Sequence, residues 1–378
     1  MDVNEVRKLF PHIEKGITFF NHAATGPLSR RVIDVLNEFI RERSEDKIDD
    51  YPGFLKVYEE TKELLAGYLN TDPRRIAFTD NTTNGMNILA QGLMWKEGDE
   101  IILNDIEFPA NVYPFLNLQK KGVKIEFVKS HDGIVSAEDI IDKITSRTRL
   151  VSVSMVQFLT GYRIDLKKLS HVCRDLNIYL SVDAIQGLGA LNLNLQEEEV
   201  DFISCGVQKW LLALQGLSFI YVSEKLQEEI QPAYVGWLGV NDAWNMLDYN
   251  LSLKETAERF QPGTLSNIGM FAFNASLKLF RDFGYREVEN RVISNSHYLM
   301  NELLKIGITP FLTGLDKKFL SGIVSFKHPY AYSILEILNE NKIEAAVREG
   351  DVRISPHFYN TEEEINKLIE TLKTFISI

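Results

Sequence analysis

Cysteine is scarce in this 378-residue chain: there are two, Cys173 and Cys205. Both sit among apolar neighbours, in "HVCRDL" and "FISCGV", as buried core thiols do, and a pair of that kind makes no disulfide framework. Basic residues are outnumbered. The 41 Lys and Arg against 53 Asp and Glu leave a formal charge of −12. That balance excludes the broad basic footprint that nucleic acid or an anionic membrane needs as a partner, though it leaves room for a local basic pocket. Long apolar runs are missing too. None reaches membrane-spanning length, and the opening "MDVNEVRKLF" lacks the apolar core of a signal peptide, so a cytoplasmic protein is expected. No residues suggest a metal site.

What is present is an ordinary globular composition, 45% apolar and 25% charged, in a chain long enough for two domains. Through its middle, short β-rich segments alternate with helical patterns. "EIIL" (100–103), "KIEFV" (124–128), "LVSVSMV" (150–156), "YLSVD" (179–183) and "DFISC" (201–205) are nearly all apolar. Strands of that kind, separated by helices such as "LKKLSHVCRDLN" (166–177), predict an α/β fold with a mostly parallel sheet covered on both faces. "LSFIYV" (217–222) is expected as one more strand, an antiparallel edge. In "FLKVYEETKELLAGYL", Leu55, Tyr58, Leu65 and Tyr68 mark one helix face. The last third changes character and reads as a small α+β unit, with Thr361 and Glu364 as a capping box for the final helix. The boundary is expected between residues 258 and 285.

Two charges stand out in "LSVDAIQGLGALNLNLQEEEVDFISCGVQKWLL". Asp183 ends one apolar strand and Lys209 follows the next within four residues. In open α/β sheets ligands bind beyond the carboxyl ends of the strands, so both side chains can reach one crevice. Taken alone, they read equally well as a structural ion pair or as unrelated charges. A third segment, "FTDNTTNGMNILAQGL", is a Thr- and Asn-rich turn running into a helix. Such a turn serves as a plain N-cap or, with its backbone N–H groups and hydroxyls, as an anion cradle. An acid, a lysine and a phosphate cradle together match the needs of pyridoxal phosphate. The lysine forms a Schiff base, the acid keeps the pyridine nitrogen protonated, and the helix end holds the phosphate.

From "FFNHAATGPLS" to "RISPHFYNTEEEI" the sequence resembles the class V aminotransferase family of fold-type I pyridoxal-phosphate enzymes, which includes cysteine desulfurases and isopenicillin N epimerase-like proteins. The resemblance implies a large cofactor-binding domain over 16–258 and a small one over 259–378, with segment 1–15 packing on the latter. "VDAIQ" implies Asp183 at the pyridine nitrogen and Gln186 at the ring's phenolic oxygen. "QKW" implies Lys209 as the Schiff-base lysine, with Gln208 where desulfurases often carry a phosphate-binding histidine. "DNTTNG" implies phosphate donors from Thr82 onward, with Thr83 as a hydroxyl. "EFPANVYPF" puts Phe108 where a residue stacks on the ring. Desulfurases carry His there, so a proton-transfer group is lost. Gln157 falls where an Asn often meets the cofactor. Without the family, Phe108 and Gln157 read as core residues.

"RFQPGTLSN" implies that Thr264 meets the phosphate bound by a neighbouring subunit, hence a homodimer with shared sites. "VRISPHFYNT" implies that Arg353 clamps the carboxylate of a small amino-acid substrate, a task suited to an arginine fork. On its own, Arg353 reads as readily as a surface strand arginine. In "NHAATGP", His22 is a candidate substrate contact or a structural histidine.

The expected chemistry starts when an amino acid displaces Lys209, which then removes the α-proton. Transamination is the first expectation. A β-eliminating C–S lyase, a desulfurase-like enzyme without a loop cysteine, and an epimerase are the alternatives. A protein that binds the cofactor without turnover is the alternative from another class. Desulfurases of the family carry a nucleophilic cysteine on a mobile loop shortly before the arginine. The matching stretch here, "NENKIEAAVREGDVR", is short and has none, which argues against a protein persulfide.

Overall fold

A computed structural model describes residues 1–376. Twelve strands occur among the described residues. β1 is Thr18–Phe19, β2 Ile76–Thr79, β3 Glu100–Asn104, β4 Lys124–Val128, β5 Thr148–Ser154 and β6 Tyr179–Asp183. β7 is Phe202–Gly206, β8 Ser218–Val222, β9 Val324–Lys327, β10 Ile343–Glu344, β11 Ala346–Arg348 and β12 Asp351–Ile354.

Seven strands form the central sheet in the order β2-β8-β7-β6-β5-β3-β4. The predicted strands are all there, with ends shifted by a residue or two. Their near-continuous apolar character has a direct cause. Alternate residues of one strand enter different cores: Ile102, Val151, Leu180 and Ile203 join one, while Ile101, Leu150, Tyr179 and Phe202 join the other. A sheet buried on both faces has no polar side to show.

The expectation for 217–222 is half right. β8 is antiparallel to β7, but it also pairs with β2 and so lies inside the sheet. The edge is β2, four residues that follow a turn containing Arg74 and Arg75 and give too short a pattern to read. The helix Tyr51–Leu69 buries Phe54, Tyr58, Leu65 and Tyr68, whereas Leu55 stays exposed. The apolar stripe therefore starts one residue earlier than the sequence suggests.

Helix Asn267–Phe283 begins at the expected cap, Ser266, and ends at Gly284. It packs beside the large sheet: Asn274 Nδ2 donates to Thr61 Oγ1 and Ser276 Oγ to the Leu211 carbonyl. Beyond it, β11, β12 and β9 make a small antiparallel sheet. Arg348 pairs with Asp351, so only Glu349 and Gly350 form the turn between β11 and β12, both at positive φ (49° and 86°). That is the signature of a tight two-residue hairpin. The N-terminal segment meets this part of the chain. β1 pairs with β10, Arg7 bridges to Glu364, and Phe10 stacks on Tyr359 at 3.9 Å. Glu364 also accepts from the Thr361 N–H at 3.0 Å and donates its own N–H to the Thr361 hydroxyl, the predicted capping box.

Candidate active site

β6 and β7 are parallel neighbours, with Asp183 opposite Ser204. Asp183 is the last residue of β6, and Lys209 lies three residues past the end of β7, so sheet topology delivers both to one end. The chain at Lys209 is held from the other side by the N-terminal segment. Gly26 N–H donates to the Gln208 carbonyl at 2.8 Å. A Cβ on Gly26 would fall 2.2 Å from the Lys209 carbonyl oxygen, so the close approach requires glycine there.

Asp183 is buried. Its Oδ1 accepts the Ile185 N–H at 3.0 Å, while Oδ2 has no hydrogen-bond partner. Burial, and then Glu107, push its carboxyl up to about 7 against the pull of the Ile185 N–H and Lys209. A buried acid with one empty oxygen is costly unless a ligand donates to it. Burial also pulls the Lys209 ammonium down to about 8; Asp183 opposes this shift and Arg353 and Arg348 add to it. Lys209 Nζ stands 5.6 Å from the centroid of the Phe108 ring. Phe108 is 44% exposed, between the buried residues Glu107 and Ala110. An open aromatic face beside a desolvated lysine and an unsatisfied acid is what a flat, protonated heterocycle would fill, and pyridoxal phosphate fits these residues.

Arg353 on β12 is 2% exposed. Nη1 donates to the Phe158 carbonyl at 2.8 Å, but Nε is buried without a partner. Burial, then Arg348, lower this guanidinium to about 9. A buried, partly unpaired guanidinium needs an anion. Arg353 is therefore not the surface arginine that its strand position allowed. Arg348, on the hairpin beside it, adds positive charge in a chain that is acidic overall. The sequence held no signal for it, nor for Phe158, whose ring meets Phe108 edge-on at 5.4 Å.

The Thr- and Asn-rich turn runs into a helix, as expected. Thr82 opens the helix Thr82–Gly92, capped by Asn81, whose side chain accepts the Asn84 N–H. Gly85 lets this helix lie on β7, since a Cβ there would meet Ser204 Oγ at 2.1 Å. The first N–H groups of a helix lack partners within it; Asn81 takes those of Asn84 and Gly85, leaving those of Thr82 and Thr83 for a ligand. Thr82 Oγ1 accepts the Gly206 N–H at 3.0 Å, which ties the turn to β7, while Thr83 is exposed. Thr264 is exposed and lines a concavity with Thr79, Asp80 and Asn84 of the turn.

Gln186 is largely committed to the protein. Its Oε1 accepts from Trp210 Nε1 at 2.8 Å and its Nε2 donates to the Ala23 carbonyl at 3.0 Å, leaving one amide hydrogen for a ligand. Gln157 is buried and faces Asn104 at 3.4 Å. Gln208 is half-buried beside Lys209.

Of the two readings of His22, substrate contact and structural histidine, the geometry favours the second. His22 is fully buried, with Nδ1 at 2.8 Å from the Ser355 carbonyl and Nε2 at 2.7 Å from the Tyr359 hydroxyl. Burial keeps it well below the usual histidine range and so neutral. With both nitrogens engaged it cannot contact substrate; it fastens the N-terminal segment to the strand that carries Arg353.

Comparison with known proteins agrees with this geometry. A "Probable cysteine desulfurase" of Methanothermobacter thermautotrophicus is 28% identical, covering 99% of this chain and 98% of its own. An "Uncharacterized aminotransferase" of Schizosaccharomyces pombe is 28% identical over 98% and 95%. Two solved structures of C-DES are each 25% identical. One carries glycine covalently linked to the PLP cofactor (TM-score 0.88; 97% and 98% covered), and the other is described as a complex of the cystine C–S lyase with its product cysteine persulfide (TM-score 0.87; 96% and 99%). The model of the aminotransferase class-V family matches residues 18–368, and the chain belongs to that family.

Proposed function

We propose that this protein is a pyridoxal-phosphate enzyme that takes a small α-amino acid of the cysteine or cystine type and eliminates its sulfur substituent, without using a protein thiol. When bound, pyridoxal phosphate draws electrons from the α-carbon of an amino acid attached to it. The chain's own groups supply the rest. Lys209 is the attachment point and the base, since burial makes its neutral form available near neutral pH. Asp183 Oδ2 holds the proton of the ring nitrogen. Phe108 covers one ring face. The start of the helix Thr82–Gly92, with Thr83 and Gln208, binds the phosphate. Arg353 offers its unpaired Nε and a second nitrogen to the substrate carboxylate. Thr264 completes the phosphate site of a second copy, making the active unit a homodimer.

The observation that carries the thiol-free part of this reading is the hairpin before Arg353. A two-residue turn occupies the place where a mobile cysteine loop would stand, and both cysteines are elsewhere and buried. Burial pushes the Cys173 thiol up to about 12 and Cys205 well above its ordinary value, so neither is a nucleophile. A relative built for cystine cleavage at 25% identity supports elimination over persulfide transfer. Transamination, the first expectation from sequence, stands as the second reading, supported by the relative named as an aminotransferase.

The test is to mix purified protein and pyridoxal phosphate with cysteine, cystine and a panel of other amino acids, with and without keto acids. Pyruvate with released sulfide or persulfide supports elimination. Accumulation of pyridoxamine phosphate without sulfur release shifts the assignment to transamination. Inversion at the α-carbon with solvent deuterium marks an epimerase. A protein that binds the cofactor but answers no amino acid is a binding protein.

A further inference from the structure

Glu107 immediately precedes Phe108 and is buried among the strand ends. Its Oε1 accepts Asn104 Nδ2 at 2.7 Å and the Ser154 N–H at 2.8 Å. Its Oε2 lies within hydrogen-bond distance of the Ser154 hydroxyl. Asn104 ends β3 and Ser154 ends β5, and Ser154 pairs in register with Asp183 on β6. One carboxyl therefore buckles two strand ends to the segment that carries Phe108.

We propose that Glu107 is a positioning residue, a neutral carboxylic acid that donates to Ser154 Oγ, aims Phe108 across the site and leaves Asp183 the single anion there. The pattern of donors separates the two oxygens. Oε1 receives the Asn104 and Ser154 N–H groups, as a carbonyl oxygen does, and Oε2 meets the Ser154 hydroxyl, which can accept a proton as well as give one, with the Asn111 side chain close to the same carboxyl. The charged neighbour is Asp183 on β6, with Lys209 beyond it. Each of these buried carboxyls is harder to ionise while the other is charged, and Asp183 is the one with an oxygen free for a cationic ring. Burial raises the Glu107 carboxyl in the same direction. The Phe108 ring has an edge contact with Phe158 and Lys209 Nζ over its face, and Glu107 anchors the backbone that carries it. The proposal rests on the reading of this site as a pyridoxal-phosphate site.

Glu107→Gln keeps the shape and all three hydrogen bonds of a neutral acid; Glu107→Ala loses them. Pyridoxal-phosphate affinity and its pH profile are measured on both, with the melting temperature of the cofactor-free proteins. Glu107→Gln is expected to bind within about threefold of the original chain with the same pH profile, and Glu107→Ala about tenfold or more weakly at a similar melting temperature. The infrared difference between the original chain and Glu107→Gln, taken without cofactor at neutral pH, is expected to contain the carbonyl band of a protonated carboxylic acid. A carboxylate band instead, a shifted pH profile in Glu107→Gln, or full affinity in Glu107→Ala overturns the proposal. If Glu107→Ala does not fold, Ser154→Ala takes its place, with the same weakening expected and undiminished affinity overturning the proposal. If the original chain binds no pyridoxal phosphate, the reading of the site fails, while the infrared band still decides the state of Glu107.

Discussion

Arg353 donates through Nη1 to the carbonyl of Phe158 at 2.8 Å, and its buried Nε donates to nothing. The first contact ties the guanidinium to the Phe158 backbone, and the Phe158 ring in turn meets Phe108 edge-on. The second leaves one donor of the fork unused. Arg353→Lys keeps the charge and loses the fork. Its KM for an amino-acid substrate should rise about 10- to 100-fold, with cofactor affinity close to unchanged. Equal losses in both would show that Arg353 supports the cofactor rather than the substrate.

Lys209 should be the residue fixed to the cofactor by borohydride. Lys209→Ala should lose both the label and the visible absorbance, and a label mapping to another lysine would refute the assignment. The pH dependence has a definite sign. Only the neutral amine attacks, and burial lowers this lysine to about 8. Cofactor capture by the empty protein should therefore quicken as pH rises towards 8 and level off above it. A rise continuing to the ordinary lysine value near 10.4 would mean that Lys209 is not desolvated.

The double variant Cys173→Ala, Cys205→Ser should retain most activity, after a packing cost of about 1–3 kcal/mol in the core. Cys205 lies on β7 and Cys173 on the helix Leu166–Asp175, both buried. A variant that folds, holds cofactor and is inactive on the best substrate would make one of these thiols catalytic.

Thr264→Ala should weaken cofactor retention by about 1–3 kcal/mol, the range of one hydrogen bond to a charged group, without lowering the melting temperature of the empty protein. Sedimentation should find a dimer. A fully active monomer would end the idea that a second copy completes the phosphate site.

Several of these assignments were legible in the chain because they depend on local order. Strands buried on both faces are apolar throughout, so the central strands announced themselves. An acid that ends one such strand and a lysine just past the next must share an end of the sheet when the strands are parallel neighbours. Caps such as Ser266 and the Thr361–Glu364 pair are settled within four residues, and the structure keeps them.

The rest depended on partners far away in sequence. Whether β8 is an edge is decided by β2, some 140 residues earlier in the chain and too short to show a period. Whether His22 faces substrate is decided by Ser355 and Tyr359, which take both its nitrogens. Whether Arg353 is a surface cation or a waiting anion site is decided by burial and by the Phe158 carbonyl. Glu107 reads in sequence as one more acid before a loop, and only the convergence of β3 and β5 on its carboxyl makes it a buckle. Charge and hydrogen bonding at a buried atom are set by whatever tertiary packing brings to it. The sequence by itself determined the strands, their caps and the order of the chemical groups; only the tertiary structure decided which of those groups were left with an unsatisfied atom for a ligand.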